Sequence, residues 1–300
     1  METDATRINS GLTTAMRIGL APEVRALIVN ADDFGLCRDE NQATVEGLER
    51  GIFTSATILA PAPGFDEAAA FARRSPAADL GVHLTLNSEW PDYRWAPVLG
   101  REAVPSLVDA AGFLWPDVAA VYAHVRLDEA QAELRAQIEK VIAAGIDPTH
   151  LDCHMGPLHL RADFHELYVH LARDYRLPIR VTPRAMLRRM GLGAIIEQLD
   201  TAGILYPDNF IVNGRRSPEN AAEYWRGVIR TLPPGISEIY CHPAYAGAEL
   251  RGFAHDAAKR EADFRFFTGA DVRELIALEG IQLIGYRKLR ALMRGEKRPG

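Results

Sequence analysis

The chain has 300 residues, of which 48% are hydrophobic and 25% charged, with a net charge of -6 and a pI near 5.9. That is enough for one large α/β domain with a full core, and the acidic balance gives no electrostatic basis for a nucleic-acid partner. Cys37, Cys153 and Cys241 form no CxxC pair and are odd in number, which argues against a disulfide framework and makes a reducing, cytoplasmic compartment the expectation.

Residues 1–24 lack an apolar core of signal-peptide length and are expected to form a poorly ordered N-terminal tail. No apolar run anywhere is long enough to span a bilayer. A short buried strand is expected over Ala26–Ala31, stopped by Asp32-Asp33-Phe34-Gly35. Two adjacent carboxylates repel and are costly to desolvate, so they suit either a polar turn or the mouth of a site that holds a cation or proton between them. A helix over 38–50 stops at Gly51, a residue suited to a helix C-terminus. A strand over 55–60, an alanine-rich helix over 65–74 and a strand over 80–86 follow.

Periodicity is lost from 87 to 126, where tryptophans and prolines are scattered. A long irregular stretch inside a domain is more often functional than accidental, so this insertion is expected to be a lid or a substrate-binding wall. Helical spacing returns from Leu127 towards Gly145 and again over Ala162–Tyr175. Strands are expected over 148–154, 178–182, 237–243 and 281–286. Helices are expected from Ser217-Pro218 through Leu232 and over 271–278. The last residues, 290–300, read as a C-terminal tail, leaving 25–289 as a single domain.

Strands alternating with helices imply a mostly parallel sheet with helical crossovers. Polar residues recur at strand C-terminal ends: Asp32-Asp33, His83, Asp152 with His154, Arg180 and His242. Barrel active sites are built on that face, which favours a closed or nearly closed barrel over an open doubly wound sheet. One carboxylate and two imidazoles suit zinc or another borderline divalent ion with a position left for water. The spacing is neither a zinc finger nor HExxH.

Four motifs in order, Asn30-Ala31-Asp32-Asp33-Phe34-Gly35, Gly81-Val82-His83-Leu84-Thr85-Leu86, Thr149-His150-Leu151-Asp152-Cys153-His154 and Cys241-His242-Pro243-Ala244, closely resemble those of the YdjC-like carbohydrate deacetylases. That family includes chitooligosaccharide deacetylases and a hopanoid-pathway deacetylase. The resemblance runs from about Arg25 to Leu289 and implies an α/β fold, a distorted or incomplete (β/α) TIM-like barrel. It also implies a hydrolase of carbohydrate metabolism that removes acetyl groups from N-acetylated sugars with a divalent metal, zinc or magnesium first, manganese, cobalt or nickel also fitting. Carried over position by position, Asp33, His83 and His154 would be the metal ligands and Asp32 the catalytic base. Many relatives continue after the His154 position with further histidines; here Met155-Gly156-Pro157-Leu158 intervenes before His159, which puts the usual substrate in question.

Amide hydrolysis needs an activated water and a stabilised oxyanion, which a divalent ion with open positions supplies. His242 is the candidate acid for the leaving amine, and Arg180 a group that orients Asp32 or contacts substrate. Successive strand residues point in different directions, which would let Asp33 face the ion and Asp32 the water. Asp152 is expected to hold an imidazole in its tautomer, His150 to be structural, and Trp90, Tyr93 and Trp95 to pack along the insertion or stack on a sugar. The competing readings are a metal-dependent hydrolase of another bond, such as a phosphoester, and a non-catalytic carbohydrate-binding relative. The expected partner is a small acetylated sugar, with a homodimer left open.

Overall fold

The computed structural model describes residues 12–296, and its centre is β1, Arg25–Phe34, buried from Ala26 onward. Before it lies α1 (Thr14–Arg17). After it come α2 (Arg38–Arg50), β2 (Ser55–Ile58), α3 (Phe65–Arg74), β3 (Leu80–Leu84), α4 (Val118–His124), α5 (Leu127–Ala143) and β4 (Leu151–Cys153). The chain continues through α6 (Pro157–Leu160), α7 (Ala162–Tyr175), α8 (Arg184–Arg189), α9 (Ala194–Thr201), β5 (Asn209–Phe210), α10 (Ala221–Arg230) and β6 (Gly235–Cys241). It ends with α11 (Ala248–Arg251), α12 (Ala257–Thr268), α13 (Ala270–Leu278), β7 (Gln282–Leu283) and α14 (Arg287–Arg294).

Every strand pairing is parallel, in the order β4-β3-β2-β1-β6-β5. One edge of β1 is shared: β7 pairs with Ala26 and Leu27, and β2 with Asn30 to Phe34. The carbonyls of Leu27 and Val29 point to that same edge, as strand alternation requires, and accept from Ile284 N–H and Thr54 N–H at 3.0 Å each. The far edges are linked through 178–182. Leu151 N–H donates to Pro178 O and Arg180 N–H to Leu151 O, while Ile179 N–H donates to Leu205 O, just ahead of β5. The sheet therefore curls into a distorted, incomplete (β/α) barrel, with 178–182 contributing one isolated bridge, Leu151 to Ile179, where a full strand was expected.

The period of two sorts the strand residues by face. Leu27, Val29, Ala31, Ile58, Val82 and Ile239 pack outward with the helices in the larger apolar cluster. Ile28, Ile236, Ile284 and Tyr286 join Leu205 and Leu289 in a second cluster. Continuing along the same faces, Asn30, Asp32, Thr57, His83, Asp152 and Glu238 are all buried and polar, so the upper barrel interior is a hydrogen-bonded network. Gly81 makes room within it: a Cβ there would lie 2.6 Å from the His150 ring.

Several expected boundaries shift. The part of the expected N-terminal tail that is described carries α1, capped by Thr13, whose first N–H groups donate to Asp208; residues 1–11 lie outside the described residues. At the other end α14 runs through Arg294, beyond the expected start of the C-terminal tail at 290. Residues 87–126 hold a 3-10 turn at Pro105–Leu107 and α4. They bury Trp90, Trp95, Leu107 and Leu114. Asn220, not Ser217, occupies the N-cap position of α10, and its side chain, instead of capping the helix, accepts from Ser217 N–H at 2.8 Å.

Candidate active site

The end of β1 is kinked. Asp33 has φ 64°, the left-handed region that Asp and Asn tolerate better than most residues, and the β1–β2 register shifts between Ala31 and Phe34. Asp32 faces inward by alternation, and the kink turns Asp33 inward as well. Simple alternation is therefore not what separates the two carboxylates. Asp33 Oδ1 lies 3.0 Å from His154 Nδ1 and 3.3 Å from His83 Nε2, and the two nitrogens are 3.3 Å apart. These three buried donors form a compact carboxylate-imidazole-imidazole cluster, the donor set and scale that a divalent ion takes.

The outer nitrogen of each imidazole is held by a carboxylate. Asp152 accepts from His83 Nδ1 at 2.6 Å and Glu89 lies 2.9 Å from His154 Nε2, leaving His83 Nε2 and His154 Nδ1 turned towards Asp33. Burial lowers the His83 pKa, but the charge and hydrogen bond of Asp152 outweigh it and raise the value to about 9. His154 is likewise raised well above the ordinary range, burial being overcome by Glu89 and Asp33.

Asp32 sits beside the cluster in a different setting. Arg180 donates to its two oxygens at 2.7 and 2.8 Å, and Asn30 Nδ2 donates to Oδ1 at 2.8 Å. Burial would raise the Asp32 pKa, yet the Arg180 guanidinium, its hydrogen bonds and the nearby histidines bring it to about 2. Asp32, His83 and Asp152 form a second grouping of metal-type donors, but its cation is already in place: Arg180 Nη1 lies 3.0 Å from Asp152 as well as 2.7 Å from Asp32. On the far side of Asp33, Arg260 of α12 donates to Oδ2 at 3.0 Å and also pairs with Glu40 and Asp256. His242 Nε2 is 3.8 Å from the same Oδ2. Burial lowers the His242 pKa, opposed by Asp33.

A cavity of about 380 Å³ opens onto these groups, lined by Asp32, Asp33, His83, His154, Arg180 and His242 and, opposite, by Met155, His159, Leu160, Met186, Phe210 and Val212. All the residues singled out in the sequence for catalysis or metal binding thus converge on one cavity. His150 does not line it; the ring stacks on Tyr286 at 3.7 Å below. Of the insertion's aromatic residues, Trp90 and Trp95 are buried and Tyr93 stacks on Phe253 at 4.0 Å. None of the three lines the cavity; the insertion contributes Glu89.

The YdjC-like protein family model matches residues 26–278. The chain belongs to the YdjC-like family. Its relatives in this carbohydrate deacetylase family include a carbohydrate deacetylase of Thermoanaerobacter pseudethanolicus, 30% identical over 89% of this chain and 100% of the relative. Another is the carbohydrate deacetylase of Thermus thermophilus, 33% identical over 87% and 92%. A chitooligosaccharide deacetylase of Proteus mirabilis is 30% identical over 88% and 98%. A crystal structure of an Enterococcus faecalis protein, 32% identical, superposes with a TM-score of 0.76 over 89% of this YdjC-like chain and 99% of the other. No helix among the described residues is long and apolar enough to cross a membrane.

Sequence reading missed Glu89, Arg260 and Glu238. Glu238 had a signal: it shares the inward face of its strand with Tyr240 and His242. Arg260 had none, because α12 buries Arg260 and Asp263 among its phenylalanines and so breaks the apolar stripe by which helices are recognised. Glu89 lies where periodicity fails.

Proposed function

We propose that the protein is a metal-dependent hydrolase that removes the acetyl group from an N-acetylated sugar. The reading is carried by one observation: Asp33 Oδ1, His83 Nε2 and His154 Nδ1 converge at the barrel's strand ends with the Asp32 carboxylate alongside. A divalent ion held by those three atoms would polarise the acetyl carbonyl and make water a better acid. Asp32, kept ionised and oriented by Arg180, accepts the proton of the attacking water on a carboxylate oxygen. His242, at the opposite side of Asp33, acts in its protonated form, the imidazolium giving its proton to the leaving amine and becoming neutral. Glu89 and Asp152 fix the ring orientations of the two histidine ligands.

Because Arg180 fills the second carboxylate grouping, the site favours one ion over the paired ions of many phosphoesterases. Three buried cysteines present as free thiols fit a reducing cytoplasm. The test is acetate release from N-acetylglucosamine and its oligomers after chelation and reloading with zinc, magnesium, manganese or cobalt. Release that returns with metal and vanishes in Asp32→Asn is expected. No release from any metal-loaded sample overturns deacetylation, and near-normal turnover in His242→Ala overturns the acid role.

A further inference from the structure

The cavity wall facing the cluster carries an imidazole that the reaction does not use. His159 lies on α6, which the chain enters through two left-handed residues, Met155 at φ 52° and Gly156 at φ 82°. Its side chain lines the cavity with Arg180, Thr182 and Met186, and its ring meets Tyr168 edge-on at 5.5 Å. The residue is 8% exposed, yet among the described residues neither Nδ1 nor Nε2 has a hydrogen-bond partner. His83 and His154, by contrast, have both ring nitrogens engaged. Two unpaired polar atoms in one buried ring carry a desolvation cost that the folded chain does not offset. On a cavity wall that also carries the apolar side chains of Met155, Leu160, Met186 and Val212, such a group is where orientation of a ligand is read.

Resting on the deacetylase reading, we propose that His159 is a substrate-recognition residue, one of whose ring nitrogens hydrogen-bonds a hydroxyl of the acetylated sugar and so selects which hydroxyl pattern the cavity accepts. Burial, helped by the charges of His165, Arg180 and His83, takes the ring's pKa down to about 3, so at neutral pH one nitrogen donates and the other accepts, and either can pair with a hydroxyl. A ring so hard to protonate is no acid for the leaving amine. Its contribution is to binding and belongs in KM.

The experiment uses the zinc-loaded full chain with N-acetylglucosamine, its β1,4-linked dimer and the 3-, 4- and 6-deoxy monosaccharides. His159→Phe keeps a ring and removes both nitrogens; His159→Gln restores a donor and an acceptor. The expected result is a loss of about tenfold or more in kcat/KM for His159→Phe, carried by KM, partial rescue in His159→Gln, and unchanged zinc affinity. One deoxy sugar should lose a similar factor with the wild type and lose nothing further with His159→Phe. Equal activity of His159→Phe and wild type on the parent sugars, or losses that add for all three deoxy sugars, overturns the inference while deacetylation stands. Calorimetric sugar binding that needs His159, without acetate release by the wild type, overturns deacetylation and supports the inference. No binding of any of these sugars overturns both.

Discussion

Replacing Glu238 by Gln tests how charge is balanced beneath the catalytic base. Inside the barrel one guanidinium, that of Arg180, faces three buried carboxylates: Asp32, Asp152 and Glu238. Tyr286 adds only a neutral hydrogen bond, 2.7 Å to Glu238 Oε2. The His83 imidazolium pairs with Asp152, which leaves one uncompensated negative charge in a low dielectric; that is costly, and the cheapest relief is a proton on Glu238. Burial raises its pKa, Arg180 and Tyr286 oppose, and the result is about 7 against an ordinary 4.5. The folded state thus binds this proton more tightly than the unfolded chain. Its stabilising contribution is complete below about pH 4.5 and is lost as pH rises through 7. At 1.36 kcal/mol per unit, that loss is on the order of 3 kcal/mol. Gln mimics the protonated side chain at every pH, so the stability of Glu238→Gln relative to wild type should rise by a similar amount between pH 5 and 8.5. Urea unfolding followed by circular dichroism across that range reads the difference directly. Parallel stability curves for the two proteins would refute the assignment of the proton to Glu238.

Asp33→Asn keeps a residue that tolerates φ 64°, so the fold should survive while zinc affinity falls by about 100-fold or more; unchanged affinity by calorimetry would remove Asp33 from the ligand set. In the metal-free protein His83, raised to about 9, and His154, also raised well above the ordinary range, are protonated at pH 7. A ligating nitrogen must be neutral. Zinc binding at pH 7 should therefore release protons, with affinity increasing as pH climbs towards 9. Calorimetry in two buffers of different ionisation enthalpy counts those protons, and a count of zero contradicts the geometry. Gly81→Ala would drive a Cβ to 2.6 Å from the His150 ring and 2.7 Å from its carbonyl oxygen, a backbone clash that should cost about 1–3 kcal/mol in thermal unfolding.

Much of this protein is written locally. The apolar runs 26–31, 55–60 and 80–86 and the periodic stretches 38–50, 65–74 and 162–175 mark elements that the structure contains, with β2 and β3 each ending two residues earlier than expected, because strand alternation and helix faces are encoded over a few residues. Placing Asp32-Asp33, His83, Asp152-His154 and His242 near strand ends also needed only the local pattern, whereas Arg180 lies in a segment that forms one bridge and no strand. The fold then brings Asp32, Asp33, His83, His154, Arg180 and His242 to one cavity, with Asp152 behind His83. Tertiary structure decided the rest. The kink that turns Asp33 inward depends on the register between β1 and β2, and the different settings of Asp32 and Asp33 depend on Arg180 and Arg260, 148 and 227 positions away. The segment 178–182 is held by the amide and carbonyl of Leu151 and the carbonyl of Leu205, contacts that no local propensity specifies. The two adjacent carboxylates have the same chemistry in the sequence; which one meets two imidazoles and which a guanidinium is set by residues that only folding brings beside them.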